Sequence, residues 1–161
     1  MDVVADVLAG GKNSRLYKRL VYDMQVAQSV TAAQASQMLS SYFVIEATPR
    51  PGHTVAELQK VIDEEIGKLQ REGPSAHELE RAVNQIEASF YNRMERLGGA
   101  HGGKADQLNS YFILTGDPDW FNEDLARYRA LSPSDVRAAS EAFLPADRRV
   151  ELTVVPESGK Q

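Results

Sequence analysis

The spacing of the apolar residues changes once along the chain, and this change constrains the fold more than any other feature. Between residues 26 and 48 small and β-branched residues dominate, and Val26, Val30 and Ala32 alternate with smaller or polar neighbours, as is typical of strands. From residue 54 onward apolar residues recur every three or four positions, as is typical of amphipathic helices. The chain therefore combines a short strand region with a long helical one.

Two strands are predicted in the first region, at residues 26–32 and 41–48 (SYFVIEAT). A polar turn near residues 36–40 joins them, and so short a connection predicts an antiparallel hairpin. The sequence PRPG at 49–52 ends the second strand. A third alternating segment, RRVELTVVP at 148–156, predicts a closing strand.

Helices are predicted on both sides of the hairpin, and capping signals mark several of their starts. Thr54 with Glu57 and Ser75 with Glu78 each form the pattern of a capping box, and Asn13 or Ser14 is a candidate cap for the second helix. The predicted helices span residues 2–9, 14–22, 54–72, 75–97, 104–114, 120–131, and a last one that starts at Ser132-Pro133.

These elements predict an α+β fold in which helices pack on one face of an antiparallel β-sheet, within a single domain spanning residues 1–161. Three strands are few for so many helices. The first helix also begins at Asp2 with nothing before it to cap it. We therefore expect a domain truncated at its N-terminus, with part of the sheet missing or supplied by another chain.

Composition excludes several classes of function. The net charge of -5 argues against nucleic acid as a general partner, because phosphate binding requires clustered Lys and Arg. The absence of cysteine excludes disulfides and thiolate metal sites. No apolar run approaches the roughly 20 residues of a membrane span.

The glycine-rich stretch GGKNS at residues 10–14 resembles a phosphate-binding loop only superficially. The phosphate loop requires a glycine where Asp6 stands, and a Ser or Thr where Asn13 stands. The preceding element is also a predicted helix rather than a strand. A turn between two helices accounts for these residues better than a nucleotide site does.

No metal site or catalytic triad is predicted from the histidines. In the segment HELER, Arg81 stands where a zinc-binding helix needs its second histidine, and His77 is interpreted as a surface residue with Glu78 as a capping partner. His53 lies in a Pro/Gly turn. His101 lies in a glycine-rich break, interpreted as a loop between helices, with a hinge or substrate contact as the alternative. No serine is marked as activated.

Read in order, the chain resembles the C-terminal half of a pitrilysin/insulinase-type zinc metallopeptidase subunit, the group that includes mitochondrial processing peptidase and its bacterial homologues. The resemblance covers roughly residues 2–157. The segments that carry it are DVLAGGKNSRLYKRL (6–20), VAQSV (26–30), the helix pair at 57–90, LTGDPDW (114–120) and SPSDVRAASEAFLPADRRVELTVVP (132–156).

The resemblance implies two similar halves that each form an antiparallel sheet backed by helices, with paired subunits enclosing a chamber for unfolded peptides. It implies that zinc is held by an H-x-x-E-H helix in an N-terminal half, so that no cofactor is expected in this chain. The implied partners are an N-terminal half, a second family subunit in a homo- or hetero-oligomer, and peptide substrates. The implied source is bacterial, with cytoplasm and periplasm both open.

In relatives whose C-terminal half assists catalysis, an arginine and a tyrosine in a segment like LREKRGLAYSV hold the substrate backbone and the developing oxyanion. Aligned on this chain, the arginine falls on Met24 and the tyrosine on Gln28. Met24 cannot donate a hydrogen bond, whereas Gln28 retains a donor. We therefore expect these two positions to be a degenerate substrate-binding site, with no catalytic residue in the chain.

Two functions remain open at this point. The first is a non-catalytic domain of a zinc-dependent peptidase, forming chamber wall and subunit interface. The second is a scaffold or assembly subunit of the same family with no peptidase activity. Truncation would also leave a sheet edge and apolar surface uncovered, which favours self-association.

Overall fold

The computed structural model describes residues 1–98 and 102–155. Two strands and seven helices lie in these ranges. In chain order they are α1 (Asp2–Ala9), a π-helix (Tyr17–Asp23), β1 (Ala27–Ser36), β2 (Ser41–Pro49), α2 (Val55–Glu72), α3 (Ala76–Met94), α4 (Lys104–Thr115), α5 (Phe121–Arg129) and α6 (Pro133–Phe143). The predicted α+β class is confirmed.

The two strands form the predicted antiparallel hairpin. Val30 pairs with Ala47 and Ala32 with Ile45, and these side chains face the helices, where they join or contact the buried core. Because side chains alternate along a strand, Thr31 and its neighbours point to the opposite face, which is exposed. The hairpin therefore has one covered face and one open face.

The core lies between the covered face of the hairpin and the helices α1, α2, α3 and α6, together with the π-helix. Leu8, Leu16, Leu20 and Leu69 have no exposed area. Burial of an aliphatic side chain contributes roughly 1.5–3 kcal/mol, so these leucines fix the positions of the elements that carry them.

Capping boxes begin three of the helices. The backbone N–H of Glu57 donates to Thr54 Oγ1 at 3.3 Å, and that of Glu78 donates to Ser75 Oγ at 3.2 Å, as the sequence predicts. A third box at Ser132 and Asp135 begins α6, with Pro133 at its first position.

The second helix differs from its prediction. Arg15 and Leu16 are α-helical and Tyr17–Asp23 are wound as a π-helix. Neither Asn13 nor Ser14 accepts a side-chain hydrogen bond from the first turn. Ser14 Oγ instead donates to the carbonyl of Gly11 at 2.7 Å, inside the preceding turn. The predicted side-chain cap by Asn13 or Ser14 was therefore wrong, although Ser14 does directly precede the first helical residue and its carbonyl accepts a hydrogen bond from the N–H of Lys18 at 2.9 Å.

The predicted closing strand was also wrong over residues 148–155, which have no regular secondary structure; Pro156 lies outside the described residues. Val150, Leu152 and Val154 are 96%, 86% and 84% exposed. Arg149 forms ion pairs with Asp63 of α2 and with Glu151. An alternating pattern becomes a strand only where a neighbouring strand completes the ladder, and no described residue provides that neighbour.

Smaller differences concern the ends of helices. The fourth predicted helix, at residues 75–97, was expected to reach Leu97, but α3 ends at Met94. His101, with its alternative interpretations, lies outside the described residues. Every helix within residues 1–98 and 102–155 is too short or too polar to span a lipid bilayer.

Candidate functional site

The two predicted site residues lie at the two ends of residues 24–28, the segment that leads from the π-helix into β1 and is called the junction below. Met24 directly follows the π-helix and is 45% exposed. Gln28 is the second residue of β1 and is exposed. Neither side chain makes a hydrogen bond to any described residue, so both are open to an external ligand.

Three backbone irregularities lie within this junction. The N–H of Met24 donates to the carbonyl of Arg19 at 3.0 Å, one residue beyond the α-helical spacing. Gln25 has φ +55°, and Gln28 is the extra residue at a break in the strand register. π-helical turns, left-handed non-glycine residues and β-bulges are all frequent at functional sites. The backbone therefore marks the same segment that the resemblance indicates.

Replacing Gln25 with glycine should stabilise the protein slightly. A left-handed backbone costs a non-glycine residue roughly 1–2 kcal/mol, and the added flexibility of glycine in the unfolded chain offsets roughly 0.5–1 kcal/mol of that gain. We expect the free energy of unfolding to rise by about 0.5 kcal/mol in urea denaturation. Gln34→Gly, within regular β1, should lower it instead; a loss in both variants would contradict the argument.

Arg50, directly after β2, forms hydrogen bonds to the junction, and the sequence did not predict this contact. Its Nε donates to the carbonyl of Ala27 at 3.0 Å, and its backbone N–H donates to the carbonyl of Val26 at 2.9 Å. Pro49 stands opposite Ala27 in the register and has no N–H to offer. The guanidinium of Arg50 therefore bonds the peptide group that immediately precedes Gln28. The only signal in the sequence is an arginine between two prolines.

Two ion-paired arginines fasten the π-helix segment to α2 and α3. Arg15 Nε and Nη2 donate to the two carboxylate oxygens of Glu78 at 2.7 and 2.8 Å, and Arg15 Nη2 also donates to the carbonyl of Gly73 at 3.0 Å. Arg19 pairs with Glu65 at 2.8 Å and with Glu64. These bonds hold the base of the junction in place.

The hydrogen bond from Arg15 lowers the pKa of Glu78 to about 2, and the capping bonds from Ser75 act in the same direction. Glu78 is thus ionised at neutral pH and serves both a cap and an ion pair. The sequence identified only the cap, because nothing in it indicates that Arg15 reaches a residue 63 positions away.

An open groove of about 560 Å³ lies beside these ion pairs, between the π-helix and α2. Its lining includes the ion-paired arginines, the exposed side chains of Lys18 and Lys68, and the acidic residues Asp23 and Glu72. Positive and negative side chains are equally represented, so the groove does not select an anion or a cation by charge.

The residues that the structure describes do not fit a zinc ion. His77 is exposed, and both carboxylate oxygens of Glu78 already accept hydrogen bonds from Arg15. Arg81 Nη1 donates to the carbonyl of Asn13 at 2.6 Å. Across residues 1–98 and 102–155, no three His, Asp or Glu side chains are grouped so that they could share a metal.

Backbone and hydroxyl groups of the glycine-rich turn at residues 10–14 form hydrogen bonds within the chain. The N–H of Gly10 donates to the carbonyl of Asp6 at 2.7 Å, ending α1, and the hydroxyl of Ser14 bonds Gly11. The predicted turn between two helices is confirmed.

Solved structures share the fold. An inactive peptidase domain from Bordetella parapertussis superposes with a TM-score of 0.79 at 23% identity, over 99% of this chain and 84% of that one. A protease from Helicobacter pylori gives a TM-score of 0.74 at 20% identity, over 89% of this chain and 33% of that one. A peptidase M16 inactive domain from Pseudomonas fluorescens gives 0.71 at 18% identity, over 91% and 34%.

The chain spans about a third of the length of the Helicobacter pylori and Pseudomonas fluorescens proteins. No curated protein sequence matches it. The family described as "Peptidase M16 inactive domain" matches residues 1–86, more than half of the 161 residues. The chain therefore belongs to the peptidase M16 inactive domain family, as its resemblance to the pitrilysin/insulinase-type metallopeptidases predicted.

Proposed function

We propose that this chain acts as a non-catalytic, peptide-contacting domain of a zinc-dependent peptidase, forming part of the wall of a chamber and an interface with an N-terminal half. Residues 1–161 form one such domain. The observation that carries the proposal is the open face of the hairpin, which adjoins the irregular junction at Met24 and Gln28.

The open face has the properties of a surface for an extended peptide. The side chains of Ser29, Thr31 and Ala33 on β1 are small and exposed, and Glu46 and Thr48 on β2 lie opposite the first two. Small side chains allow a second backbone to approach closely. Within the described ranges the sheet has only two strands, so each strand also has an unpaired edge, the kind of edge to which peptides add as strands.

Met24 and Gln28 contact the peptide rather than assist its cleavage. Met24 offers an exposed apolar surface and no donor, so it stabilises no negative charge. The amide of Gln28 donates a hydrogen bond to a peptide carbonyl, but it is uncharged. The site therefore binds without stabilising an oxyanion.

The chemistry of cleavage lies elsewhere in the assembly. The parent of the Bordetella parapertussis domain is described as a candidate zinc protease, and within residues 1–98 and 102–155 no three His, Asp or Glu side chains are grouped so that they could share a metal. In the proposed assembly an N-terminal half would hold the zinc, and a second family subunit would complete the chamber. The source is bacterial, with cytoplasm and periplasm both compatible.

A scaffold or assembly subunit is the alternative function. Val150, Leu152 and Val154 favour it, since they alternate along the chain and are more than 80% exposed. Such a segment is suited to adding as a strand to another subunit. In that case the chain associates with other subunits and binds no peptide.

Peptide binding distinguishes the two functions. Thr31→Arg places a long side chain at the middle of the open face, where Glu46 opposite can pair with it. We expect this variant to weaken binding of a fluorescein-labelled, unstructured Gly/Ser/Ala peptide by about tenfold in fluorescence anisotropy, an effect of the size expected when a contact worth roughly 1.4 kcal/mol is lost. Glu80→Arg on exposed α3 is the matched control. Equal affinity of the two variants would contradict the proposed site.

A further inference from the structure

The guanidinium of Arg50 is only partly used by the fold. Its Nε donates to the carbonyl of Ala27 at 3.0 Å. Neither Nη atom donates a hydrogen bond to any described residue, and neither is fully buried. Arg50 also forms no ion pair within residues 1–98 and 102–155. An accessible charged edge with two N–H-bearing nitrogens therefore remains beside Gln28.

The fold fixes the position of this guanidinium before any ligand binds. Pro49 and Pro51 flank Arg50, and the residue before a proline is restricted to extended conformations. The backbone N–H of Arg50 is bonded to Val26 at 2.9 Å, and its Nε is bonded to Ala27. A side chain held at both its backbone and its Nε loses little conformational entropy on binding.

The free edge of the guanidinium has the chemistry of a carboxylate receptor. Two Nη groups in one plane match the two oxygens of a carboxylate, which accepts both bonds at once. Gln28 follows Ala27 and is exposed at the bulge. Its side-chain amide can donate a third hydrogen bond to the same carboxylate. A carboxylate there would meet one positive charge and no neutralising partner among the described residues.

We propose that Arg50 is a specificity-determining residue of this site: with Gln28, it binds a carboxylate group of the peptide. This inference rests on the proposed peptide-contacting function and adds a preference to it. The carboxylate is either the C-terminus of the peptide or an Asp or Glu side chain. If Arg50 served only the fold, its Nε would supply the hydrogen bond to Ala27 that Pro49 cannot donate. The affinity for a peptide would then not depend on whether the peptide carries a carboxylate.

The first experiment examines Arg50 directly. In ¹⁵N-labelled protein, the side-chain Nε–Hε resonance of Arg50 is assigned by its loss in Arg50→Lys. The Nε–Hε resonances are then followed during titration with N-acetylglycine. We expect the Arg50 resonance to shift and saturate, while that of Arg127, an exposed arginine of α5, stays in place. No shift at Arg50 would overturn the proposal.

The second experiment measures peptide affinity by fluorescence anisotropy. Labelled Gly/Ser/Ala peptides carry a free C-terminus, a C-terminal amide, or an amide with one internal Asp. We expect Arg50→Gln and Arg50→Lys to weaken binding of a carboxylate-bearing peptide about tenfold, as loss of a charge-assisted pair does, and Arg127→Gln to leave it unchanged.

The three peptides also distinguish a C-terminal carboxylate from a side-chain carboxylate, and a failure of the carboxylate preference from a failure of the proposed function. Tight binding of only the free-acid peptide identifies a C-terminal carboxylate, and tight binding of the Asp peptide identifies a side chain. If wild-type protein binds all three equally and Arg50→Gln changes nothing, the carboxylate preference is overturned while the proposed function stands. If no peptide binds, both are overturned.

Discussion

Replacing Glu78 with alanine should lower the free energy of unfolding by about 3 kcal/mol, because it leaves Arg15 charged and without its partner. The side chain of Arg15 is only 12% exposed and that of Glu78 23%. Both carboxylate oxygens accept bonds from Arg15, and one also completes the capping box with Ser75. Urea denaturation at neutral pH measures the loss.

Ser75→Ala measures the contribution of the cap to this loss of stability, and Glu141→Ala is the control for an exposed ion pair. Ser75→Ala removes the hydroxyl of the cap and keeps the ion pair, so we expect a loss of about 1 kcal/mol. Glu141→Ala removes a carboxylate from an exposed ion pair with Arg137 and should change stability by less than about 0.5 kcal/mol. If Glu78→Ala were no more destabilising than Ser75→Ala, the ion pair would contribute nothing.

The same ion pair predicts a dependence on pH. The pKa of Glu78 falls from 4.5 to about 2 in the folded protein. Because the folded pKa is the lower one, the stabilisation is complete above the unfolded value and is lost as the pH falls from about 4.5 towards 2. The difference between wild type and Glu78→Ala should therefore shrink from about 3 kcal/mol at neutral pH to about 1 kcal/mol near pH 3. A constant difference would contradict the assignment.

Replacing Leu20 with alanine should cost about 3 kcal/mol, the middle of the range for buried leucines. Leu20 lies at the centre of the π-helix, has no exposed area and belongs to the main core. Its carbonyl also accepts a hydrogen bond from the N–H of Val26 at 3.0 Å, at the start of the junction. The cavity left by alanine would thus weaken the element that positions Met24 and Gln28.

Tyr22 provides the control on the same π-helix. It is 74% exposed, so Tyr22→Ala removes a larger side chain from the same helix and should change stability by less than about 0.5 kcal/mol. Urea denaturation compares the two. A loss at Tyr22 similar to that at Leu20 would show that the π-helix is held by its own side-chain propensities rather than by the core.

Features encoded locally were predictable from the sequence. The capping boxes at Thr54 and Ser75 involve residues three positions apart, and the hairpin involves two adjacent alternating segments. In each case the partners are close in the chain, so their spacing alone defines the contact. The family followed from the order of such segments, since no single one of them is specific.

Features that depend on distant contacts were not predictable. The bond between Arg15 and Glu78 joins residues 63 positions apart, and no pattern in the sequence marks it. The π-helical winding and the bulge at Gln28 leave no signal of their own, because the residues involved also suit an ordinary helix and strand. The predicted closing strand shows the converse: Val150 and Leu152 alternate as in a strand but lack a partner among the described residues.

The site was predictable only in part. Met24 and Gln28 were identified through the family resemblance, and their role in peptide binding stays a prediction. Arg50 was missed because its importance comes from Pro49, which stands opposite Ala27 and cannot donate to it. That relation exists only once the register of the hairpin is known.

Incubation of the protein with a labelled, unstructured peptide and zinc tests whether the chain binds peptide without cleaving it, with binding followed by anisotropy and cleavage by mass spectrometry. We expect that the peptide binds, that Thr31→Arg weakens this binding, and that the peptide stays intact with or without zinc. Cleavage that depends on zinc and stops on chelation would contradict it, and so would the absence of any binding.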